Sequence, residues 1–69
     1  MERKSVSSSN LASVGYDEPT QTLEIEFNHG GIYQYYNVTE SVYNDLMNAG
    51  SVGSYFSHNI KNVYPTQKI

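Results

Sequence analysis

The sequence of 69 residues contains no cysteine and no tryptophan, and only four of its residues are lysine or arginine. Without cysteine the chain has neither disulfides nor thiolate metal ligands, the two devices that many small domains use for stability. His29 and His58 lie far apart and have no close carboxylate spacing, so we expect no metal site. A chain of this length buries only about 60% of the surface that its unfolded form exposes, so we expect one marginally stable domain over residues 1–69.

Long apolar segments are also absent. No run of about 18 apolar residues is present, and serines follow the first residues, Met1 to Ser5, where a secretory signal would be apolar. We therefore expect no membrane association, a cytoplasmic location and no small-molecule cofactor.

Basic side chains are confined to the two ends of the chain. No lysine or arginine lies between Lys4 and Lys61, a stretch that holds the acidic residues from Asp17 to Asp45. This acidic middle disfavours phosphate binding through its own surface. Arg3, Lys4, Lys61 and Lys68 would form a small basic patch only if the two ends of the chain meet.

Aromatic residues are the abundant class. Seven tyrosines and two phenylalanines exclude a disordered chain, since each ring can bury roughly 150–250 Å². Residues 11–16, 22–27 and 32–36 have the alternation or β-branched and aromatic content of strands. Turn residues around Pro19 and at Asn28-His29-Gly30-Gly31 separate them.

The length of the second turn decides which side of the sheet the tyrosines occupy. A two-residue loop, His29-Gly30, would place Tyr33 and Tyr35 on the side of Glu24 and Glu26. A three-residue loop with glycine in the left-handed conformation instead pairs Ile25 with Tyr33 and Leu23 with Tyr35. We predict this second register, which leaves Gln34 with the glutamates on a solvent-facing side.

Helical spacing begins near Asn37. Val38, Val42, Leu46 and Ala49 recur at helical intervals, Asn37 and Thr39 compete as N-cap, and Gly50 is the predicted end. Ser51 then caps a shorter helix with Val52, Phe56 and Ile60 on one side. The sequence thus predicts an α+β fold: a three-stranded antiparallel β-meander followed by two short helices packed on the sheet, with flexible ends at residues 1–6 and 66–69.

Catalytic patterns are weak. Serines 7–9 with either histidine and an aspartate could be imagined as a hydrolase triad, but no nucleophile elbow is present. Glu24 and Glu26 share one strand face, which an amphipathic strand shows without any chemistry. We therefore expect no enzyme. Tyr33 and Tyr35 could stack on nucleobases, although core packing is the commoner use of such rings.

Several motifs occur in one order along the chain: Ser8-Ser9-Asn10-Leu11, Gly15-Tyr16-Asp17, Leu23-Glu24-Ile25-Glu26-Phe27, Tyr33-Gln34-Tyr35, Gly53-Ser54-Tyr55-Phe56, Asn59-Ile60 and Tyr64-Pro65. Together they resemble the KTSC domain family, which is named for the C-terminal extension of some lysyl-tRNA synthetases and also occurs as single-domain bacterial and phage proteins. The resemblance implies a non-catalytic binding domain with RNA or tRNA as its ligand. It makes the following residues the candidate binding site: Tyr33, Tyr35, Gly53, Phe56, Asn59, Lys61 and Tyr64.

A protein partner is the alternative to RNA. An exposed strand edge, or the face that carries Ile32 and Tyr36, could pair with another chain or with a second copy of this one. The chain would then be a small interaction or structural module.

Overall fold

The structure is a computed structural model that describes all 69 residues. It contains one antiparallel sheet of five strands in the order β1-β2-β3-β4-β5, and two helices between the last two strands. The elements are β1 Arg3–Ser5, β2 Leu11–Asp17, β3 Thr22–Phe27, β4 Ile32–Tyr35, α1 Glu40–Met47, α2 Val52–Asn59 and β5 Thr66–Lys68.

The predicted α+β class is confirmed, but the predicted number of strands is wrong. The two additional strands, β1 and β5, lie within segments that the sequence suggested were flexible ends. Each has only three residues and no apolar alternation, so neither carries a strand signal of its own. Their structure comes from pairing: Lys4 lies opposite Val14 on β2, and Gln67 opposite Gln34 on β4.

The hairpin of β3 and β4 has the predicted register. Leu23 pairs with Tyr35 and Ile25 pairs with Tyr33. The turn is closed by two backbone hydrogen bonds, from Gly30 N to Phe27 O (3.0 Å) and from Phe27 N to Gly31 O (3.1 Å). Gly30 has a φ of 103°, a conformation that costs glycine little, so the turn sequence determines the register.

A β-bulge in β2 turns Leu11 toward the core. Simple alternation would place Leu11 on the face opposite Val14. The register against β3 shifts between Leu11 and Ser13, so one extra residue lies in β2. Leu11 consequently reaches the core and is only 1% exposed.

The two helices cover one face of the sheet and build a single apolar core with it. Phe56 and Ile60, from the second helix and its end, and Leu46 from the first, meet the apolar row of the strands. The nine buried residues are Leu11, Val14, Leu23, Ile25, Tyr35, Val38, Leu46, Phe56 and Ile60. The core therefore lies between the sheet and the helices.

The opposite face of the sheet carries no helix and is polar. The expectation that Glu24 faces solvent there is wrong, because Glu24 is only 4% exposed. Arg3 on β1 forms an ion pair with Glu24, and Gln34 Nε2 donates to Glu24 Oε1 at 2.9 Å. The sequence offered no sign of this burial because it depends on β1, a short strand without apolar alternation.

The helix starts agree with the capping signals. The Thr39 hydroxyl accepts a hydrogen bond from Val42 N, so Thr39 rather than Asn37 is the N-cap of α1. The Ser51 hydroxyl accepts from Ser54 N at 3.2 Å and caps α2 as predicted. Helix α1 ends at Met47, three residues before the predicted stop at Gly50, and Asn48 is its C-cap. Neither helix has the length and apolar character needed to cross a membrane.

Candidate functional site

An open cleft of about 420 Å³ lies between the β3–β4 turn and the C-terminal part of α2. We name it the aromatic cleft, because most of its large side chains are rings. It is lined by Asn10, Phe27, His29, Tyr33, Tyr35, Phe56, Ser57, Lys61, Asn62 and Thr66.

Phe27 is the centre of the ring cluster. Its ring stacks on the His29 imidazole with a centroid distance of 5.4 Å and an interplanar angle of 11°. Tyr33 and Phe56 each meet Phe27 edge to face, with centroids 5.5 Å away in both cases. Phe56 also packs edge to face on Tyr35 at 5.4 Å. These spacings and angles are those of favourable aromatic pairs.

The hairpin register places these rings together. Because Ile25 pairs with Tyr33 and Leu23 pairs with Tyr35, the two tyrosines project to the same side as the two aliphatic residues, where α2 packs. Phe27 is the last residue of β3, and the turn after it brings His29 back over its ring. Helix α2 supplies Phe56, whose ring meets Phe27 and Tyr35.

The rings of the cleft differ in solvent exposure, and hence in their accessibility to a ligand. Tyr35 and Phe56 form the floor and are 5% and 3% exposed. Phe27 and Tyr33 are half-buried, and His29 is exposed. Burial raises the pKa of the Tyr35 hydroxyl, with a smaller contribution from Tyr33 and an opposing one from a hydrogen bond with Thr66. The floor is therefore uncharged at neutral pH.

Two of the four basic side chains lie at this end of the molecule. Lys61 lines the aromatic cleft and is exposed. Lys68 on β5 pairs with Tyr33, and its Cε lies 3.7 Å from the position that a Cβ would take on Gly31. The cleft is thus flanked by two cations.

The other two basic residues lie elsewhere. Arg3 and Lys4 are on β1, and four strand spacings separate β1 from β5, which amounts to about 19 Å. Arg3 is also engaged by Glu24. The four basic residues therefore do not converge into the single patch that the sequence left open.

Acidic side chains gather at the far end of the sheet. Glu18 lies in the β2–β3 turn, whereas the cleft lies at the β3–β4 turn, at the other end of β3. A hydrogen bond with Glu18, and its charge, raise the pKa of the Glu40 carboxyl at the start of α1. Glu18 and Glu40 thus lie at the end of the sheet away from the rings and the two lysines.

A second open cleft, of about 620 Å³, lies beside the first and is lined mostly by polar residues. We name it the hydroxyl cleft. Serines 7–9 and Asn10 form one wall, residues 50–54 with Ser57 and His58 form the other, and Val52 is its one hydrophobic residue.

Gly53 lies in this hydroxyl cleft rather than in the aromatic cleft. A Cβ on Gly53 would lie only 2.9 Å from Ser8 Oγ. Ser8 Oγ in turn accepts hydrogen bonds from Asn10 N and Leu11 N, both at 3.2 Å. Glycine at this position allows the loop before β2 to approach the start of α2.

The sequence-predicted site residues separate into three groups. Tyr33, Tyr35, Phe56 and Lys61 line the aromatic cleft. Gly53 lines the hydroxyl cleft. Asn59 and Tyr64 line neither: Asn59 Nδ2 donates to Tyr55 O within α2 at 3.2 Å, and the half-buried Tyr64 packs against the core.

Sequence reasoning missed two central members of the aromatic cleft. The alternation of residues 22–27 places Phe27 on the apolar side of the strand, and His29 is a turn residue. Their position two residues apart across a tight turn was the available signal, but it does not predict stacking. His58, the other histidine, has its Nδ1 2.8 Å from the backbone oxygen of Ser54. No group of three or more His, Cys, Asp or Glu residues is arranged to hold a metal ion.

Comparison with known proteins identifies the fold. The chain is similar to a KTSC domain protein from Yersinia pestis whose crystal structure is known, with a TM-score of 0.96 and 41% identity over 99% of this chain and 96% of that one. It is also 41% identical to an uncharacterized protein of Stutzerimonas stutzeri, over 88% of this chain and 86% of that protein.

A further group of relatives is much longer than this chain. The chain is 39% identical to a lysine–tRNA ligase of Nostoc punctiforme over 86% of its own length, but it spans only 10% of that ligase. The KTSC domain model matches residues 7–64, which include both strands of the β3–β4 hairpin and both helices. The chain therefore belongs to the KTSC domain family.

Proposed function

We propose that this chain is a non-catalytic binding domain that takes unpaired nucleotides of an RNA in the aromatic cleft. The observation that carries the proposal is the convergence of rings and cations at one end of the molecule. Phe27, His29 and Tyr33 present ring surface to solvent, and Lys61 and Lys68 lie beside them.

The ring geometry suits a nucleobase. Single-stranded RNA is bound mainly by stacking its bases on aromatic side chains, and each stacked base is worth about 1–3 kcal/mol. One face of the exposed His29 imidazole stacks on Phe27, which leaves its other face open to a base. Asn10 and Asn62 add amide groups that can hydrogen-bond to the edge of a base.

The longer relatives support RNA as the ligand class. Lysine–tRNA ligases of cyanobacterial strains contain a segment 39–41% identical to this chain, and their name specifies tRNA. We suppose that this segment of the ligases binds unpaired nucleotides of the tRNA through the same cleft. On the basis of the sequence similarity, we propose the same kind of ligand for the present chain.

The charge distribution predicts modest affinity. The chain has a net charge of −3, and only two lysines flank the cleft. Each lysine that neutralises a phosphate releases a counterion, so binding should weaken as salt increases. Stacking, which depends less on salt, should supply most of the binding free energy.

The experiment is fluorescence anisotropy with a labelled single-stranded RNA over a series of salt concentrations, comparing Lys61→Ala with Lys4→Ala. Both side chains are exposed, but Lys61 lines the aromatic cleft, whereas Lys4 lies on β1, the edge strand farthest from β5. We expect Lys61→Ala to weaken binding and to reduce the slope of log K against log salt by about 0.7, the value for one phosphate of a single strand. Lys4→Ala should behave like the parent chain.

Two results would contradict the proposal. The first is affinity weaker than millimolar at low salt for the parent chain, and the second is an equal effect of the two alanine variants. The second result would mean that the cleft does not position the RNA.

The protein-interaction alternative finds less support in the structure. Both edge strands have only three residues, and each carries a lysine, Lys4 in β1 and Lys68 in β5. Short edges with lysine are the usual means by which proteins prevent strand addition. A partner that extends the sheet is therefore disfavoured at both edges.

A further inference from the structure

The aromatic cleft and the hydroxyl cleft adjoin each other along α2, and we name the two together the groove. Asn10 on one wall and Ser57 on the other line both clefts. The two clefts therefore meet at Asn10 and Ser57, with the rings on one side and the serine-rich loop on the other. Each half, at about 420 and 620 Å³, has the volume of a typical small-ligand pocket, which is about 300–1,000 Å³.

The two halves differ in chemistry. The aromatic half presents flat apolar surface with Lys61 at its rim. The other half presents hydroxyl groups from serines of both walls and contains no carboxylate and no lysine or arginine. Neutral hydroxyls donate to and accept from sugar hydroxyls, whereas they offer little surface on which a base could stack.

We propose that the groove takes two successive nucleotides of an RNA strand, with a base of one in the aromatic half and the ribose of its neighbour in the hydroxyl half. The serines then select RNA over DNA through the 2′-hydroxyl group. This inference rests on the proposed function, because it assigns the second half of the groove to the strand that the rings hold. The 2′-hydroxyl is the group by which proteins distinguish the two nucleic acids at a given position.

Ser57 is the residue at which the selection should be measurable. It lies at the junction, directly after Phe56 in α2, and it is exposed. A ribose that follows a base stacked in the aromatic half would pass this side chain. Ser41, an exposed serine in α1 that lines neither cleft, provides a control with the same chemical change.

The experiment compares two labelled probes of equal length, oligouridylate and oligodeoxyuridylate, which differ only in the 2′-hydroxyl groups. We expect the full chain to bind the RNA probe about 2- to 10-fold more tightly, the ratio that one hydrogen bond provides. Ser57→Ala should lower that ratio toward one by weakening RNA binding alone, and Ser41→Ala should leave it unchanged. Thermal unfolding of each variant by circular dichroism checks that it is folded.

The outcomes separate this inference from the proposed function. Equal affinity for both probes, with the effect of Lys61→Ala still present, would overturn the 2′-hydroxyl selection and leave RNA binding by the rings in place. A Ser57→Ala variant that weakens both probes equally would also overturn it. Binding of neither probe would overturn both proposals.

Discussion

Glu24 shows how a single residue can depart from its sequence pattern. It alternates with apolar neighbours on β3 and has the pattern of a solvent-facing carboxylate, yet it is buried beneath Arg3 and Gln34. Burial alone would raise the pKa of Glu24. Hydrogen bonds from Gln34 and Arg3, together with the positive charge of Arg3, outweigh that effect and place the pKa below its ordinary value.

This lowered pKa predicts a pH dependence of stability. The ionised carboxylate is favoured in the folded state, so its contribution is fully present above the unfolded pKa of about 4.3. It is lost as the pH falls through the lower pKa of the folded state. We expect the free energy of unfolding of Glu24→Gln, measured by urea denaturation, to fall less steeply than that of the parent chain as the pH is lowered from about 5 to about 2.

Glu2→Gln is the control for this measurement, because the Glu2 side chain is exposed. It should retain the acid dependence of the parent chain. An equally steep loss of stability in Glu24→Gln would show that other carboxylates cause the acid sensitivity.

At the scale of the elements, β1 depends on the absence of a side chain at Gly15 of β2. A Cβ at Gly15 would lie 2.7 Å from the backbone oxygen of Glu2 and 2.9 Å from Arg3 Cγ. Because the nearer atom belongs to the backbone, it cannot move without shifting β1 itself. The N-terminal strand and the Arg3–Glu24 pair are therefore coupled to this glycine.

We expect Gly15→Ala to destabilise the protein by about 1–3 kcal/mol, the usual cost of inserting atoms into a packed site. The loss should concentrate in β1, where amide hydrogen exchange of residues 3–5 should accelerate. Gly50→Ala is the matched control, since a Cβ there has no neighbour within 4 Å. Equal protection of β1 in both variants would show that the strand tolerates the added methyl group.

At the scale of the whole molecule, Phe56 joins the sheet and the helices. It is only 3% exposed, and its ring meets both Phe27 at the end of β3 and Tyr35 of β4. A domain of this size has one core, so loss of this ring should affect every element together.

We expect Phe56→Ala to cost about 3–5 kcal/mol, which is a large part of the total stability of about 5–15 kcal/mol that native proteins have. The variant should unfold in one transition at a much lower temperature, followed by circular dichroism and by tyrosine fluorescence. Phe56→Leu, which keeps most of the apolar volume, should lose less. Separate transitions for helix and sheet signals would contradict a single cooperative core.

Where the chemistry is local, the sequence was sufficient. The register of β3 and β4 followed from a glycine in a three-residue turn, and Ser51 capped α2, because both depend on neighbours within a few residues. Tyr33 and Tyr35 could be placed on one side of the sheet for the same reason. The α+β class and the family resemblance followed from the order of these local patterns.

Features that depend on contacts between residues far apart in the sequence were decided only by the tertiary structure. The pairing of β1 and β5, the burial of Glu24 by Arg3 and the joining of two clefts at Asn10 and Ser57 all depend on segments without periodic pattern of their own. Backbone hydrogen bonds between strands are made by nearly every residue type, so they leave little trace in sequence. Local residue chemistry thus determined the turns, caps and apolar rows, whereas pairing in space determined which basic, acidic and aromatic side chains meet.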